Sequence, residues 1–279
     1  MKRNKGMVTN SEPTGTALLD GLTLLASQAA AAILAVPRAA LNRRDKADAS
    51  PVTAADEAAE SIILAGLARL LPGVPVLSEE STGRGPMAAA PRMLIIDPLD
   101  GTREFLAGLD EYVVNIALLE DGVPVAGVVA APARGLIWRG IVGQSAERLA
   151  LSPGASPESA HKRTAIRTRA RPASGARVMV SRSHLDAATD AYVDRLTQPE
   201  KIACGSALKF CLLAEGSADL YPRLAPTSEW DLAAGHAVLV AAGGDMRRPD
   251  GSALRYGERA SEGRYVVPAF IATGSREAG

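Results

Sequence analysis

Carboxylates follow a short apolar run of this sequence in a pattern that suits a metal ion. Met93–Ile96 is continuously apolar and predicts a buried strand, and Asp97 and Asp100 come directly after it in the string DPLDGT. Pro98 favours an extended backbone at Asp97, so we expect the strand to end there in a turn from which the carboxylate projects. Two carboxylates three residues apart can share one hard cation, and Mg²⁺ prefers such oxygen ligands.

The end of the same string could contact a phosphate group. Gly101 permits a sharp backbone path, and Thr102 predicts the start of a helix that continues through Glu104, Phe105 and Leu106. Free N–H groups at the start of a helix attract phosphate. An acidic turn that merely caps a helix explains a lone DPxD equally well, but the full six-residue string is far less expected by chance.

Acidic residues also adjoin two other apolar segments. Glu79 and Glu80 follow the predicted strand Val74–Ser78, where neighbouring side chains point in opposite directions, so only one of the two should face a metal. Asp231 precedes the apolar segment Leu232–Leu239, which predicts a buried helix. A solvated loop explains the two glutamates and a helix-dipole contact explains the aspartate, and both simple alternatives stay open.

The segments that must position these side chains alternate between helical and strand patterns. Thr53, followed three residues later by Asp56, resembles a capping box and predicts the start of a helix. Tyr112–Leu119 and Val125–Ala131, joined by a turn at residues 120–122, predict a β-hairpin. The elements predicted before this hairpin are helices over residues 14–40 and 53–71 and strands at Val74–Ser78 and Met93–Ile96.

A second half follows a stretch of different composition. Ser152–Pro172 is rich in Ser, Pro, Ala and Arg, and we expect the boundary between two halves, 14–160 and 161–279, in this stretch. From Val178 onward the pattern predicts a strand, a helix, a strand and a helix, with a β-rich end near Arg264–Ile271.

Composition narrows the class of protein. The chain has 279 residues, 47% of them hydrophobic, with 31 basic and 31 acidic residues, which predicts a packed core and no general attraction to nucleic acid. Leu18, Leu22 and Leu25 recur at helical spacing within Ala17–Val36, so we expect a packed amphipathic helix and no stable membrane span. A loose peripheral contact with the inner membrane stays open as an alternative.

The two cysteines bear on the cellular compartment. On one helix, Cys204 and Cys211 would lie about 10 Å apart along the axis, too far for a disulfide. Neither has a nearby residue of metal-ligand type, so we expect two buried thiols, in keeping with a cytoplasmic location.

Four further motifs narrow the interpretation. They are SPVTAAD at Ser50–Asp56, SRSH at Ser181–His184, GSALKF at Gly205–Phe210 and LYPR at Leu220–Arg223. Together with the acidic motifs they resemble the inositol monophosphatase superfamily and, within it, the 3'(2'),5'-bisphosphate nucleotidases. The resemblance extends from about residue 18 to about residue 270. It implies an α+β fold, a layered αβαβα sandwich with the site between its halves.

The resemblance also implies a role for each motif. Two or three magnesium ions would be held by Glu79, Asp97, the carbonyl of Leu99, Asp100 and Asp231. Asp56 and Thr102, assisted by Glu79, would orient and deprotonate the attacking water. The substrate would contact Gly101, Thr102, His184, Gly205, Ser206, Lys209, Arg223 and Asp231.

Some of these assignments have simpler alternatives, and the chain departs from the family pattern at two places. His184 could cap a helix that begins near Asp186, and Lys209 could be a surface lysine whose stem lies along an apolar helix. Ala207 stands where many members of the superfamily have a second serine, and the loop Ser81–Pro91 is short and rich in Ala and Gly. We therefore expect this chain to lack one hydrogen bond to the substrate. We also expect the part of the protein that covers the metal site to differ from that of the family.

The implied activity is hydrolysis of a small phosphorylated nucleotide. We expect conversion of adenosine 3',5'-bisphosphate to AMP and phosphate, with its 5'-phosphosulfate relative as a further substrate, in sulfur assimilation and with inhibition by lithium. Inositol monophosphatase or fructose-1,6-bisphosphatase activity at the same metal site is the main alternative. A nucleotide-binding regulator without turnover and a membrane-surface or scaffolding protein are the alternatives from other classes. The sequence leaves the oligomeric state open.

Overall fold

Helices form where apolar residues recur at helical spacing. The computed structural model describes residues 13–37, 44–45, 51–80, 90–257 and 265–274. The helices within these residues are α1 (Gly15–Ala35), α2 (Ala54–Leu70), α3 (Thr102–Ala107), α4 (Ala187–Asp194), α5 (Leu208–Ala214) and α6 (Ala233–Ala241).

The strands are mostly short. In chain order they are β1 (Arg44–Asp45), β2 (Pro51–Val52), β3 (Val76–Ser78), β4 (Arg92–Asp100), β5 (Val113–Glu120), β6 (Val123–Ala131), β7 (Leu136–Ile141), β8 (Ser145–Ala150), β9 (Lys162–Ala165), β10 (Arg177–Ser181), β11 (Glu200–Cys204), β12 (Leu220–Arg223), β13 (Thr227–Ser228), β14 (Asp245–Arg247), β15 (Val266–Val267) and β16 (Phe270–Thr273).

Two sheets and three helical layers form a sandwich. The seven-stranded sheet has the order β3-β4-β5-β6-β7-β8-β9 and the five-stranded sheet the order β11-β10-β12-β16-β14. Helices α1 and α2 pack on one face of the larger sheet, and α6, together with α5, packs on its other face. Helix α5 also contacts β12 of the smaller sheet, and α4 covers the outer face of that sheet. The predicted α+β fold with αβαβα layers is confirmed.

Alternation along β4 determines which way its first acidic residue points. Leu94 and Ile96 belong to the apolar cluster beneath α1 and α2, whereas Met93 and Ile95 belong to the cluster around α5 and α6. Because side chains alternate across a strand, Asp97 continues the second set and points toward the central helical layer.

Strand β4 also continues through residues where the sequence predicted a turn. Asp97 and Asp100 both belong to the strand, and the pairing register with β5 shifts between them. Pro98 has no N–H to donate to the neighbouring strand, which accounts for the irregularity. The prediction that the strand ends at Asp97 is therefore wrong, because an irregularity absorbs the proline and the turn comes only at Gly101.

Helix α2 begins where the capping box predicts. The hydroxyl of Thr53 accepts a hydrogen bond from the N–H of Ala55 at 3.1 Å. The Asp56 carboxylate accepts one from the N–H of Thr53 at 2.8 Å. The N–H groups of Thr53 and Ala55 at the helix start thus both have side-chain acceptors, and the predicted helix is confirmed.

Helix α1 ends at Ala35, earlier than the predicted limit at residue 40. Val36, the residue before Pro37, has extended angles of φ −74° and ψ 116°, as steric contact with a following proline favours. Residues 38–40 lie outside the described part of the chain. Among the described residues, α1 is the one helix long and apolar enough to cross a membrane, and 56% of its most apolar window is buried in the protein. The burial supports the predicted packed helix.

The predicted hairpin is formed by β5 and β6, which pair antiparallel. Asp121 and Gly122 at its turn both have positive φ, 48° and 72°, as tight hairpin turns of this kind require. Farther along, the predicted alternation of strands and helices after Val178 is also found, from β10 to β16. Arg264, at the edge of the predicted β-rich end, lies outside the described residues.

The change from one sheet to the other follows β9. This strand, Lys162–Ala165, pairs with β8 and so completes the larger sheet, while β10 begins the smaller sheet at Arg177. The division into halves at residues 160 and 161 stays a prediction.

The two cysteines lie on different elements. Cys204 ends β11 and Cys211 lies within α5, and both are free and buried. The prediction that they share one helix is wrong, because the turn at residues 205–207 separates them. The prediction of two buried thiols is confirmed.

Candidate active site

The acidic motifs and the basic motifs line the same cavity. Its volume is about 290 Å³. The N-terminal part of the chain contributes Glu79, Asp97, Leu99, Asp100, Gly101, Thr102, Arg103 and Glu104. The C-terminal part contributes Ser181, His184, Gly205, Ser206, Lys209, Phe210, Tyr221, Arg223, Thr227, Ser228, Trp230, Asp231 and Leu232.

Three carboxylates meet at the floor of this cavity. Oxygen atoms of Asp97, Asp100 and Asp231 all lie within 4.8 Å of one another. Two of these residues come from β4, and the third comes from the turn Glu229–Asp231 that precedes α6. Glu79 also lines the cavity, whereas Glu80 is absent from its wall, as expected for neighbouring residues at a strand end.

The negative charges of this cluster repel one another. Burial, followed by the negative charges of Glu79, Asp100 and Asp231, holds the pKa of Asp97 well above its usual range. Burial and the same kind of repulsion raise the pKa of Asp231 well above its usual range. Burial raises the pKa of Asp100 to about 6, although the positive charge of Lys209 opposes the rise. An arrangement of this kind is unfavourable without a cation.

The ligand atoms of this cluster fit a hard divalent cation. Among the residues that the structure describes, no hydrogen-bond donor reaches the buried Oδ2 atom of Asp97. Its Oδ1 atom accepts a hydrogen bond from the N–H of Leu99 at 2.9 Å, which orients the carboxylate. Every candidate ligand atom is a carboxylate or carbonyl oxygen, the type that Mg²⁺ prefers.

A chain of hydroxyl and carboxylate groups lies beside the cluster. The Thr102 hydroxyl lies 3.0 Å from the carbonyl oxygen of Leu99 and 3.3 Å from Oδ1 of Asp56, and it can donate to either. The Oδ2 atom of Asp56 accepts from the hydroxyl of Thr53 at 2.6 Å. Burial raises the pKa of Asp56 despite these hydrogen bonds. The structure thus brings together Asp56 and Thr102, which are 46 residues apart in the sequence.

Gly101 allows the chain to turn from β4 into α3 beside the acids. Its φ is +93°, and an added Cβ would lie 2.9 Å from the carbonyl oxygen of Glu111. Any other residue would therefore be strained by both its backbone angle and its contact with the next segment.

Lys209 is buried, with only 4% of its surface exposed. Its Nζ donates to the carbonyl oxygens of Ser206 at 2.6 Å and Cys204 at 3.2 Å, and it lies 5.2 Å from the centre of the Tyr221 ring. The alternative of a surface lysine is therefore wrong. The ammonium group is held inside by two carbonyl groups and a ring, and it lines the cavity instead of reaching bulk solvent.

His184 and Arg223 also line the cavity and contact each other. Arg223 donates from Nη1 to the carbonyl of His184 at 3.1 Å. Its Nε is buried and, within the described residues, has no acceptor. Burial, followed by the positive charges of Arg103 and Arg223, lowers the pKa of His184. The alternative that His184 caps the next helix is wrong, because Asp186 is the cap of α4.

Several residues of this site do not follow from the sequence motifs. Arg103 lines the cavity directly after Thr102, and its position next to the acidic motif could have indicated it. Asn115 donates to Asp100 at 3.3 Å and to the Trp230 carbonyl at 3.4 Å, and so joins two of the acid-bearing segments. No local pattern marks Asn115, because it lies in the middle of a buried strand.

The chain is similar to known proteins over most of its length. A model of the inositol monophosphatase family matches residues 17–275. The 3'(2'),5'-bisphosphate nucleotidase CysQ of Salmonella typhimurium is 42% identical over 260 residues, which cover 92% of this chain and 99% of that protein. The crystal structure of CysQ from Bacteroides thetaiotaomicron matches with a TM-score of 0.76 and 32% identity, over 94% of this chain and 98% of that one. The histidinol-phosphatase of Mycobacterium tuberculosis is 37% identical over 222 residues, 76% of this chain and 79% of that protein.

The chain belongs to the inositol monophosphatase family, because the family match spans almost all of it. The resemblance inferred from the motifs is thereby confirmed.

Proposed function

We propose that the chain is a magnesium-dependent 3'(2'),5'-bisphosphate nucleotidase that hydrolyses adenosine 3',5'-bisphosphate to AMP and phosphate. The observation that carries this proposal is one cavity lined both by the carboxylates Asp97, Asp100 and Asp231 and by His184, Lys209 and Arg223. A substrate with two phosphate groups needs both a metal-binding end and a second cationic end. The similarity to proteins named CysQ supports the same substrate.

The proposed metal ligands are Glu79, Asp97, the Leu99 carbonyl, Asp100 and Asp231, for two or three magnesium ions. Bound magnesium would offset the charge of the phosphate group and make water a stronger acid. The raised pKa values of the buried carboxylates support a site that binds a cation.

The protein's own groups would then handle the proton and the phosphate group. Asp56, with its pKa raised by burial, would accept the water proton through the Thr102 hydroxyl, with Glu79 assisting. The water oxygen would form the new bond to phosphorus as the bond to the 3'-oxygen breaks, and that oxygen would take up a proton. Gly101 and Thr102 would donate to the reacting phosphate group.

The remaining contacts concern the nucleoside and the second phosphate group. His184, Gly205, Ser206, Lys209, Arg223 and Asp231 are the proposed substrate contacts. The buried Nε of Arg223, which has no acceptor in the described part of the chain, supports this assignment, since such a donor is costly unless a ligand supplies an acceptor.

The experiment is phosphate release from adenosine 3',5'-bisphosphate with magnesium, with EDTA and with added lithium, beside inositol 1-phosphate, fructose 1,6-bisphosphate and histidinol phosphate. We expect turnover that needs magnesium, is inhibited by lithium and favours the nucleotide. Preference for another phosphate ester would contradict the proposed substrate but not the proposed metal site. Binding of the nucleotide without release of phosphate would favour a regulator.

The cellular setting is part of the same proposal. We place the enzyme in the cytoplasm, where it would remove a by-product of sulfate assimilation and accept the 5'-phosphosulfate relative as well. Two free buried thiols support a reducing compartment. Co-sedimentation with vesicles of inner-membrane lipids tests the alternative of a peripheral contact.

A further inference from the structure

Glu111 lies between the two loops that carry the basic wall of the cavity, by which we mean His184 and the Ser206–Lys209 groups. Its Oε2 and Oε1 atoms accept hydrogen bonds from Nε and Nη2 of Arg182 at 2.6 and 2.7 Å. The Oε2 atom also accepts one from the N–H of Gly205 at 2.8 Å. One carboxylate therefore joins the SRSH loop to the GSALKF loop.

The loops that Glu111 joins both belong to the candidate site. Ser181 and His184 line the cavity from the first loop, and Gly205, Ser206 and Lys209 line it from the second. Glu111 is 71 residues before Arg182 and 94 residues before Gly205. It lies just before β5, on the part of the chain that contributes the acids of β4.

Arg182 attaches the first loop to this carboxylate. Its guanidinium donates twice to Glu111 and once to the carbonyl of Ala203, at 3.0 Å. Arg182 is absent from the cavity wall. The arginine of the SRSH motif therefore contacts protein groups, whereas the histidine of the same motif faces the cavity.

The second loop is held in one conformation around Gly205. An added Cβ at Gly205 would lie 2.9 Å from both Cγ of Glu104 and the carbonyl oxygen of Glu111. The next residue, Ser206, has a positive φ of 48°, which is uncommon for a residue other than glycine. The loop can keep this backbone only while its neighbours hold it, and Glu111 supplies one of the hydrogen bonds that do so.

The surroundings of Glu111 favour a charged carboxylate held in one position. Its side chain is 13% exposed, and the hydrogen bond from Arg182, which outweighs burial, lowers its pKa. Charge-assisted, bidentate pairs of this kind are strong and have a defined geometry.

We propose that Glu111 is the positioning residue of the basic wall and sets the spacing between His184 and the Ser206–Lys209 groups, so that together they match a second phosphate group of the substrate. The inference rests on the proposed function, because it names what arranges that site's substrate contacts. Glu111 acts through the two loops and does not itself line the cavity.

The test compares Glu111→Ala, Glu111→Gln and Arg182→Ala with Asp110→Asn as a matched control. Asp110, the preceding residue, also forms a two-bond pair with an arginine, Arg134, at 3.0 and 3.1 Å, but neither residue lines the cavity. The kcat and KM of each variant are measured with adenosine 3',5'-bisphosphate and adenosine 3'-monophosphate, and each Tm is measured alongside.

Glu111→Ala should raise KM for the bisphosphate about tenfold, the effect of losing a charge-assisted hydrogen bond, and change kcat by less than about threefold. KM for the monophosphate, which lacks the second phosphate group, should change much less. Glu111→Gln should lie between the wild type and Glu111→Ala, because its amide oxygen can still accept from Gly205. Arg182→Ala should raise KM for the bisphosphate in the same selective way, and the control should match the wild type.

Equal changes in KM for both substrates, or a fall in Tm with no selective change in KM, would show that the contact is only structural. If the wild type prefers a different phosphate ester, the proposed function fails. Glu111 is then still a positioning residue if Glu111→Ala and Arg182→Ala raise KM for that ester with little change in kcat and the control does not, and an unchanged KM in both variants would overturn this role as well.

Discussion

At the scale of single residues, the main feature of the candidate site is the cluster of Asp97, Asp100 and Asp231, of which Asp97 is fully buried. Asp100 is its most connected member, since its Oδ2 atom accepts from the N–H of Ala207 at 2.6 Å and from Asn115 at 3.3 Å. It therefore joins the candidate metal site to the start of α5. An amide at this position would keep an acceptor for both donors but lose the negative charge.

Asp100→Asn should lower kcat for the bisphosphate at least about a hundredfold while leaving Tm within a few degrees of the wild-type value, since the retained oxygen preserves the hydrogen bonds. Steady-state kinetics and thermal unfolding check this, with Asp110→Asn as the same chemical change outside the cavity. Near-normal kcat would remove Asp100 from the proposed metal ligands.

His236 is a second buried titratable residue, away from the cluster. Its Nδ1 lies 3.0 Å from the hydroxyl of Tyr256, and burial lowers its pKa from the ordinary 6.5 to about 4 despite the negative charge of Asp245. Between these two pH values the unfolded chain binds a proton that the folded protein does not. Its contribution to stability is therefore present above pH 6.5 and is lost as the pH falls toward 4.

The free energy of unfolding should fall by roughly 3 kcal/mol from this residue as the pH falls from 6.5 to 4. His236→Gln keeps a polar partner for Tyr256 and removes the titration, so the difference between wild type and variant should narrow with falling pH. Urea unfolding at several pH values measures it. A difference that stays constant with pH would contradict the lowered pKa.

At the scale of elements, one buried arginine adds polar contacts between α1 and the larger sheet to their apolar packing. Arg139 of β7 is 1% exposed. It donates to Asp20 at 2.6 Å and to Thr23 at 3.1 Å on α1, and to Glu147 of β8 at 2.6 Å. Removing a partner from a buried charged group leaves the remaining groups desolvated and unpaired.

Arg139→Ala should lower the free energy of unfolding by about 3–5 kcal/mol. Arg134→Ala breaks the exposed pair with Asp110 and should cost less than about 1 kcal/mol. Chemical denaturation of both variants provides the comparison. Similar losses of unfolding free energy in the two variants would mean that burial of the Arg139 ion pairs adds nothing to stability.

At the scale of the whole molecule, the candidate site depends on the packing of the two sheets around the central helices. Acids of β4 and cations from the segments around α5 and β12 line one cavity. Helix α6, which follows Asp231, contacts the larger sheet. A cation at the acidic floor would bind the folded protein and not the unfolded chain. Stability should therefore depend on the metal concentration.

Magnesium at about a hundred times its Kd should stabilise the fold by about 2.7 kcal/mol, a rise in Tm of about 5–10 °C for a chain of this size. Thermal unfolding with magnesium chloride, against sodium chloride of equal ionic strength, measures the shift. Asp97→Asn should abolish most of it. An equal shift in that variant would contradict a metal site at Asp97.

Much of the fold could be predicted because its signals are local. The capping box of Thr53 and Asp56, the hairpin turn at Asp121 and Gly122, and the alternation along β4 each depend on residues close in sequence. The candidate ligands were found for the same reason, since each acid directly adjoins an apolar segment. The end of β4 was wrongly predicted because the pairing with β5 outweighs the local effect of Pro98.

The sequence by itself determined the family, the layered fold class, and the set of acids and cations of the candidate site. The tertiary structure alone decided that Lys209 is buried, that Asp186 and not His184 caps α4, and that Glu111 joins the two basic loops. These features depend on contacts between residues far apart in the chain, such as Asp100 with Ala207, 107 residues away. Spacing within one segment carries no information about such pairs, because the packing of distant elements brings them together.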